Sequence, residues 1–146
     1  MILTVDASVA FKWFFQDRND EADVDVALDI LRAVADGSVK LVQPPHFMAE
    51  MTAVLAREVS STATATANIE DLRAVDFTVC GADQLHPRAA ELAIQLKHHA
   101  FDTLYHATAL LTADTVMVTA DQTYFKKAKS LGQIKLLSTL NRLGTK

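Results

Sequence analysis

Met1-Ile2-Leu3-Thr4-Val5-Asp6-Ala7-Ser8 opens the chain with a short apolar run that ends on a carboxylate and a hydroxyl. The run reads as a buried strand, Ile2–Val5, turning directly into a helix. The same grammar recurs at Val116-Met117-Val118-Thr119-Ala120-Asp121. Further strands are expected at Lys40–Val42 and Ile134–Leu137, with a weaker one at Phe77–Val79. Helical periodicity fills the intervals: Ser8–Phe15, Ala22–Ala35, Pro45–Val59, Ala65–Val75, Pro87–Lys97, Thr103–Thr112 and Gln122–Leu131. Strands that alternate with helices predict a parallel sheet with helices on both faces and right-handed crossovers. Apolar strand runs without polar alternation suit burial on both sides.

Composition narrows the function. The chain has 146 residues, 50% hydrophobic and 22% charged, which suits one compact domain spanning 1–146. Fourteen Lys and Arg stand against 18 Asp and Glu, a net charge of −4. A polyanion must therefore be met through a local basic patch or through metal ions. A single cysteine, Cys80, excludes an internal disulfide framework and a multi-cysteine zinc site, and fits a reducing compartment. The N-terminus lacks a basic region before its apolar run, and no apolar stretch approaches the ~20 residues of a membrane span. These features predict a cytoplasmic protein without a membrane partner.

In open α/β sheets ligands bind beyond the carboxyl ends of the strands. Asp6 and Asp121 both fall there, although an Asp before a helix is also an ordinary N-cap. Glu50 lies inside a helix opened by Pro44-Pro45, at the edge of the stripe Phe47, Met51, Val54 and Leu55. Asp102 precedes a helix whose face Leu104, Tyr105, Thr108 and Leu111 should be buried, so it aims at the sheet edge. Like charges ~4 Å apart repel by about 4 kcal/mol at an effective dielectric of 20. A divalent cation removes that penalty, and carboxylate oxygens suit Mg²⁺ or Mn²⁺.

These four segments together resemble the PIN-domain ribonucleases, and within them the VapC-type toxins of bacterial toxin–antitoxin pairs. Asp6-Ala7-Ser8 is similar to the family's first motif, and Pro45-x-x-x-x-Glu50 with Val54-Leu55 to the second. Phe101-Asp102-Thr103-Leu104-Tyr105-x-Ala107-x-Ala109 resembles the third, and Thr119-Ala120-Asp121-x-x-x-Phe125 the fourth. The likeness covers essentially the whole chain in order. It implies a three-layer α/β/α fold with a central parallel sheet, a Mg²⁺- or Mn²⁺-dependent endoribonuclease, an RNA substrate and an antitoxin partner. It also implies that Asp6, Glu50, Asp102 and Asp121 are catalytic. Asp6, Asp102 and Asp121 would hold the metal, with Glu50 as ligand or water-orienting base. Thr103-Leu104-Tyr105-His106-Ala107-Thr108 departs from the Ala-rich segment common there.

After Asp121 the charge changes sign: Lys126, Lys127, Lys129, Lys135, Arg142 and Lys146 follow without an acid. With Lys12, the lysines at 126, 127 and 129 are the candidates for holding RNA phosphates; a solvated helix face is the plainer account. Phe11-Lys12-Trp13-Phe14-Phe15 places aromatics in nearly every direction around a helix. Phe11, Trp13, Phe14 and Phe15 are candidates either for an exposed partner surface or for the core of one short sandwiched helix, and the resemblance implies an antitoxin or a second copy as the partner. Among the histidines, His98 and His99 are expected to point to different faces; His106, one turn from Asp102, is within reach of the site's water, but a packed or exposed side chain is the plainer account. Two other classes remain open. One is a non-catalytic interaction module whose Asp residues only cap helices. The other is an Asp-based phosphatase, disfavoured because the turn Asp6-Ala7-Ser8 lacks an Asp-x-Asp pair.

Overall fold

The computed structural model describes residues 1–18 and 21–140. Five strands, β1 (Ile2–Val5), β2 (Lys40–Gln43), β3 (Phe77–Val79), β4 (Thr115–Thr119) and β5 (Ile134–Leu136), form one sheet. The order is β3-β2-β1-β4-β5, and every pairing is parallel. Seven α-helices are described: α1 (Ala7–Ala10), α2 (Val24–Ala35), α3 (Phe47–Glu58), α4 (Thr62–Arg73), α5 (Leu85–Leu96), α6 (Ala100–Leu111) and α7 (Gln122–Ala128). This is the expected α/β class with a central parallel sheet. Among the described residues no helix is long and apolar enough to cross a membrane.

β1 lies at the centre, and Leu3 and Val5 are almost wholly buried, as a strand flanked on both sides requires. Its register with β4 runs the full length, Ile2↔Thr115 to Val5↔Val118. Its backbone register with β2 covers only Ile2↔Lys40 and Leu3↔Leu41. Beyond that point the buried Gln43 side chain takes over. Its Oε1 accepts from Val5 N–H at 2.9 Å and its Nε2 donates to Val5 C=O at 2.7 Å. Thr4 Oγ1 donates to Val42 C=O at 2.6 Å. Polar side chains thus satisfy backbone groups that would otherwise be orphaned. Helix α6 packs on β1, β2 and β4, and α5 packs on α6. One apolar cluster joins the strands to α2, and a smaller one links Leu85, Ala89 and Leu92 of α5 to Leu104 and Ala107 of α6.

Several helix bounds depart from the periodicity. α3 starts at Phe47, two residues after Pro45, so Glu50 sits in its first turn. α6 starts at Ala100, so Asp102 lies inside the helix and not before it. α4 begins three residues early, at Thr62, because the Ser61 hydroxyl accepts from Thr64 N–H.

The expected helix Ser8–Phe15 is α1 followed by a 3₁₀ turn, Phe11–Trp13. This overturns the all-aromatic surface. Trp13 is 4% exposed, and its indole N–H donates to Ala27 C=O of α2 at 2.9 Å. Phe14 is half-buried against the same core. Only Phe11 and Phe15 remain as a surface pair, stacked at 4.2 Å between centroids. The Arg18 guanidinium lies over both rings, at 5.3 and 4.5 Å. Lys12 is also corrected. It is 6% exposed, and its Nζ pairs with Glu21 at 2.6 Å, because a buried ammonium needs a counter-ion. It does not stand free for a phosphate. Arg142 and Lys146 lie outside the described residues.

Candidate functional site

The β1–β4 junction, where the chain's crossovers diverge to opposite sides, places two sequence-distant acidic turns side by side. Asp6 leaves β1 with its N–H donating to Val118 C=O at 3.3 Å. Its carboxylate caps α1 through Val9 N–H and accepts from the hydroxyls of Ser8 and Thr119. Thr119 Oγ1 in turn accepts from Asp121 N–H at 3.0 Å. One hydroxyl therefore ties the two acidic turns together across 113 residues of chain. Asp121 caps α7 through Tyr124 N–H at 3.0 Å. Both Asp residues do serve as N-caps, and capping accounts for only part of their setting.

Asp6 is 5% exposed. Burial pushes its carboxyl up to about 7, and the nearby Asp102 charge adds to the rise, while the Ser8 and Thr119 hydroxyls and Val9 N–H oppose it. Its partners are two hydroxyls and a backbone N–H, none of them a cation.

Glu50 is half-buried, held by Tyr105 OH at 3.2 Å and His46 Nε2 at 3.0 Å on the same oxygen. Tyr105 is fully buried in α6; desolvation, with the charges of Glu50, Asp6 and Asp102, pushes its phenol well above the usual range. Three of the four acids thus act on one hydroxyl. His46 Nε2 also lies 2.9 Å from Phe101 C=O, while its buried Nδ1 has no partner. Beside it a cleft of about 550 Å³ is lined by Ala49, Glu50, Ala53, Val54, Arg57 and Phe101, with His46 and His99. Phe101 is 60% exposed at its edge.

Asp102 has neighbours that helical periodicity did not foresee. His98 and His99 do not diverge. Lys97 adopts a left-handed conformation (φ 52°) that closes α5, and His99 caps α6 in extended geometry. Both imidazoles then reach Asp102 Oδ2, His98 Nε2 at 2.6 Å and His99 Nε2 at 3.1 Å, with the rings stacked at 4.9 Å. Among the described residues, these three form the group of His, Cys, Asp or Glu whose ligand atoms all lie within 4.8 Å of one another. Asp6, Glu50 and Asp121 stand outside that set. The spacing His-His-x-x-Asp, one turn from the acid, was the signal available in the sequence.

His106 plays no part in the site. It is fully buried, its Nδ1 2.9 Å from Tyr124 OH and its Nε2 2.9 Å from Gly132 C=O, and burial holds its pKa below the usual value. Lys126, Lys127 and Lys129 are exposed on and just after α7. Lys127 Nζ donates to Lys97 C=O at 3.1 Å and lies 3.3 Å from His98 Nδ1.

A family model described as PIN domain matches residues 3–131. The fold is similar to the crystal structure of PAE2754 from Pyrobaculum aerophilum, at TM-score 0.67 and 17% identity over 95% of this chain and 91% of that one. It is similar to VapBC2 from Rickettsia felis, bound to a DNA fragment from its promoter, at TM-score 0.67 and 12% identity, covering 93% and 98%. It is also similar to VapBC-1 from nontypeable Haemophilus influenzae, at TM-score 0.63 and 16% identity, covering 95% and 100%. No curated protein is matched by the sequence.

Proposed function

The chain belongs to the PIN-domain family, and from that premise we propose that it is a divalent-metal-dependent endoribonuclease, the toxin of a toxin–antitoxin pair. The observation that carries the proposal is Asp6: a buried carboxylate, pushed up to about 7, at the carboxyl edge of the sheet, with Asp102 adding charge and no protein cation among its partners. Such a group is stabilised by an added cation, and its oxygen donors fit a hard divalent ion such as Mg²⁺ or Mn²⁺. Asp6, Asp102 and Asp121 would hold the ion. When bound, the ion supplies positive charge that acidifies water and neutralises a phosphate.

The chain's own residues do the rest. Glu50, oriented by Tyr105 and His46, accepts the proton of the attacking water. Thr119 and Ser8 hold Asp6 in one rotamer, which keeps the donor set preorganised. Exposed Lys126, Lys127 and Lys129 hold flanking phosphates of the RNA. Hydrolysis in this sense leaves a 5′-phosphate and a 3′-hydroxyl. VapBC neighbours support an antitoxin partner. We assign its docking to Phe11 and Phe15, with a basic side chain entering the acidic site. The same reading takes residues 1–146 as one domain that homodimerises and works in the cytoplasm.

The test is incubation of the purified chain with pooled cellular RNA, with Mg²⁺, with Mn²⁺ and with EDTA, followed by mapping of the new ends. Metal-dependent internal cuts with 5′-phosphates, absent from Asp121→Asn, are expected. Cleavage that survives EDTA or Asp121→Asn would overturn the assignment, as would no cleavage of any RNA.

A further inference from the structure

Two imidazoles on a single carboxylate oxygen form an arrangement that the carboxylate site does not require. His98 Nε2, His99 Nε2 and Asp102 Oδ2 all lie within 4.8 Å of one another. We propose that His98, His99 and Asp102 form a nitrogen-rich cation site that takes a borderline transition-metal ion, of the zinc and cobalt class, in preference to Mg²⁺. This deepens the nuclease reading through the shared Asp102, but binding can be measured without cleavage.

The chemistry follows from the donors. Imidazole nitrogen favours Zn²⁺, Co²⁺ and their neighbours, whereas Mg²⁺ demands oxygen and keeps much of its water. Bonds of about 2.0–2.2 Å place tetrahedral donors roughly 3.3 Å apart. Asp102 Oδ2 lies 2.6 Å from His98 Nε2 and 3.1 Å from His99 Nε2, so modest side-chain shifts open a coordination shell. The three donors differ in exposure. The His98 and Asp102 side chains are 11% and 20% exposed, while that of His99 is 69% exposed. Two anchored ligands with one on the open side leave room for water or a phosphate oxygen, as catalytic sites do and closed structural sites do not.

The left-handed Lys97 is what turns His98 and His99 back over the first turn of α6, so the backbone builds the site before any ion arrives. One contact opposes it. Lys127 Nζ lies 3.3 Å from His98 Nδ1, and an ammonium can only donate. That contact leaves the proton on Nε2, where it donates to Asp102. With an ion on Nε2 the neutral imidazole would carry its proton on Nδ1, which could then no longer accept from Lys127.

The experiment uses the full chain stripped of metal, titrated with Zn²⁺, Co²⁺ and Mg²⁺ by calorimetry, with the visible Co²⁺ spectrum as a second readout. One equivalent of Zn²⁺ or Co²⁺ should bind at least ~100-fold more tightly than Mg²⁺. Outer-shell partners cost ~10–100-fold in affinity, so losing a direct ligand should cost at least ten-fold. His98→Ala and His99→Ala should each show that loss and a changed Co²⁺ spectrum. His99 is mostly exposed, so its variant carries the test should His98→Ala fail to fold. Lys127→Met should tighten Co²⁺ binding. Asp6→Asn should keep Co²⁺ affinity within about three-fold while losing Mg²⁺-supported cleavage, which separates this site from the nuclease reading. Unchanged Co²⁺ affinity in the two His variants, equal Zn²⁺ and Mg²⁺ affinity, weaker binding in Lys127→Met, or loss of Co²⁺ binding in Asp6→Asn would each overturn the proposal.

Discussion

Replacing Asp6 by Asn should make metal-free stability much less sensitive to pH. The Asp6 carboxyl is raised from 3.8 to about 7 in the folded chain. Between those values the native protein keeps a proton that the unfolded chain has released. Stability therefore falls as pH rises through the window and stops falling above about 7, because the unfolded state binds fewer protons than the native one. From pH 5 to the native value is a gap of roughly two pH units, and each unit is worth 1.36 kcal/mol, so wild type loses about 3 kcal/mol at this group. Asn cannot ionise. Its Oδ1 can still accept from Ser8 and Val9, but its amide replaces the oxygen that took the Thr119 hydroxyl. That rearrangement has its own cost, of order 1–3 kcal/mol. The cost is the same at both pH values and cancels in the comparison. Urea denaturation in EDTA at pH 5 and pH 8 measures it. The stability difference between the two proteins should move by about 3 kcal/mol in favour of Asp6→Asn on going to pH 8. A difference constant to within about 1 kcal/mol would refute the desolvated carboxylate. So would failure of Mn²⁺ to stabilise wild type more than the variant at pH 8.

Mn²⁺ at about 100 times its dissociation constant should stabilise the wild-type fold by about 2.7 kcal/mol, seen as a higher melting temperature than in EDTA. Trp13→Ala should lose roughly 3–5 kcal/mol in denaturant titrations, because it empties a core position and removes the indole's hydrogen bond to Ala27 C=O; a loss below 1 kcal/mol would place the indole at the surface. Gln43→Ala leaves Val5 N–H and C=O unpaired inside the sheet, and should cost about 2–4 kcal/mol by the same assay. Phe15→Ala should weaken antitoxin binding at least ten-fold by calorimetry while leaving the melting temperature within a few degrees, since the ring is only half-buried.

Five strands, a parallel sheet and the positions of four acids were legible along the chain, because apolar runs and the turns that end them are local patterns. β1 ends at Val5 and Asp6 follows it, whatever the rest of the molecule does. The family resemblance carried by those acids is matched by the model over residues 3–131. Helix starts were less legible. Asp102 enters α6 only because Lys97 takes a left-handed conformation and the chain turns early, a choice made by the α5–α6 packing.

What the sequence by itself determined is the order of elements and which residue types stand at each strand end. Tertiary structure alone decided which groups touch. Trp13 is core because α2 offers it a carbonyl, and Lys12 is sealed because Glu21 meets it. His98 and His99 converge because a turn outside any helix aims both at Asp102. Periodicity describes one element's faces. Burial and pairing depend on what another, sequence-distant element places opposite, and that is a property of the folded chain.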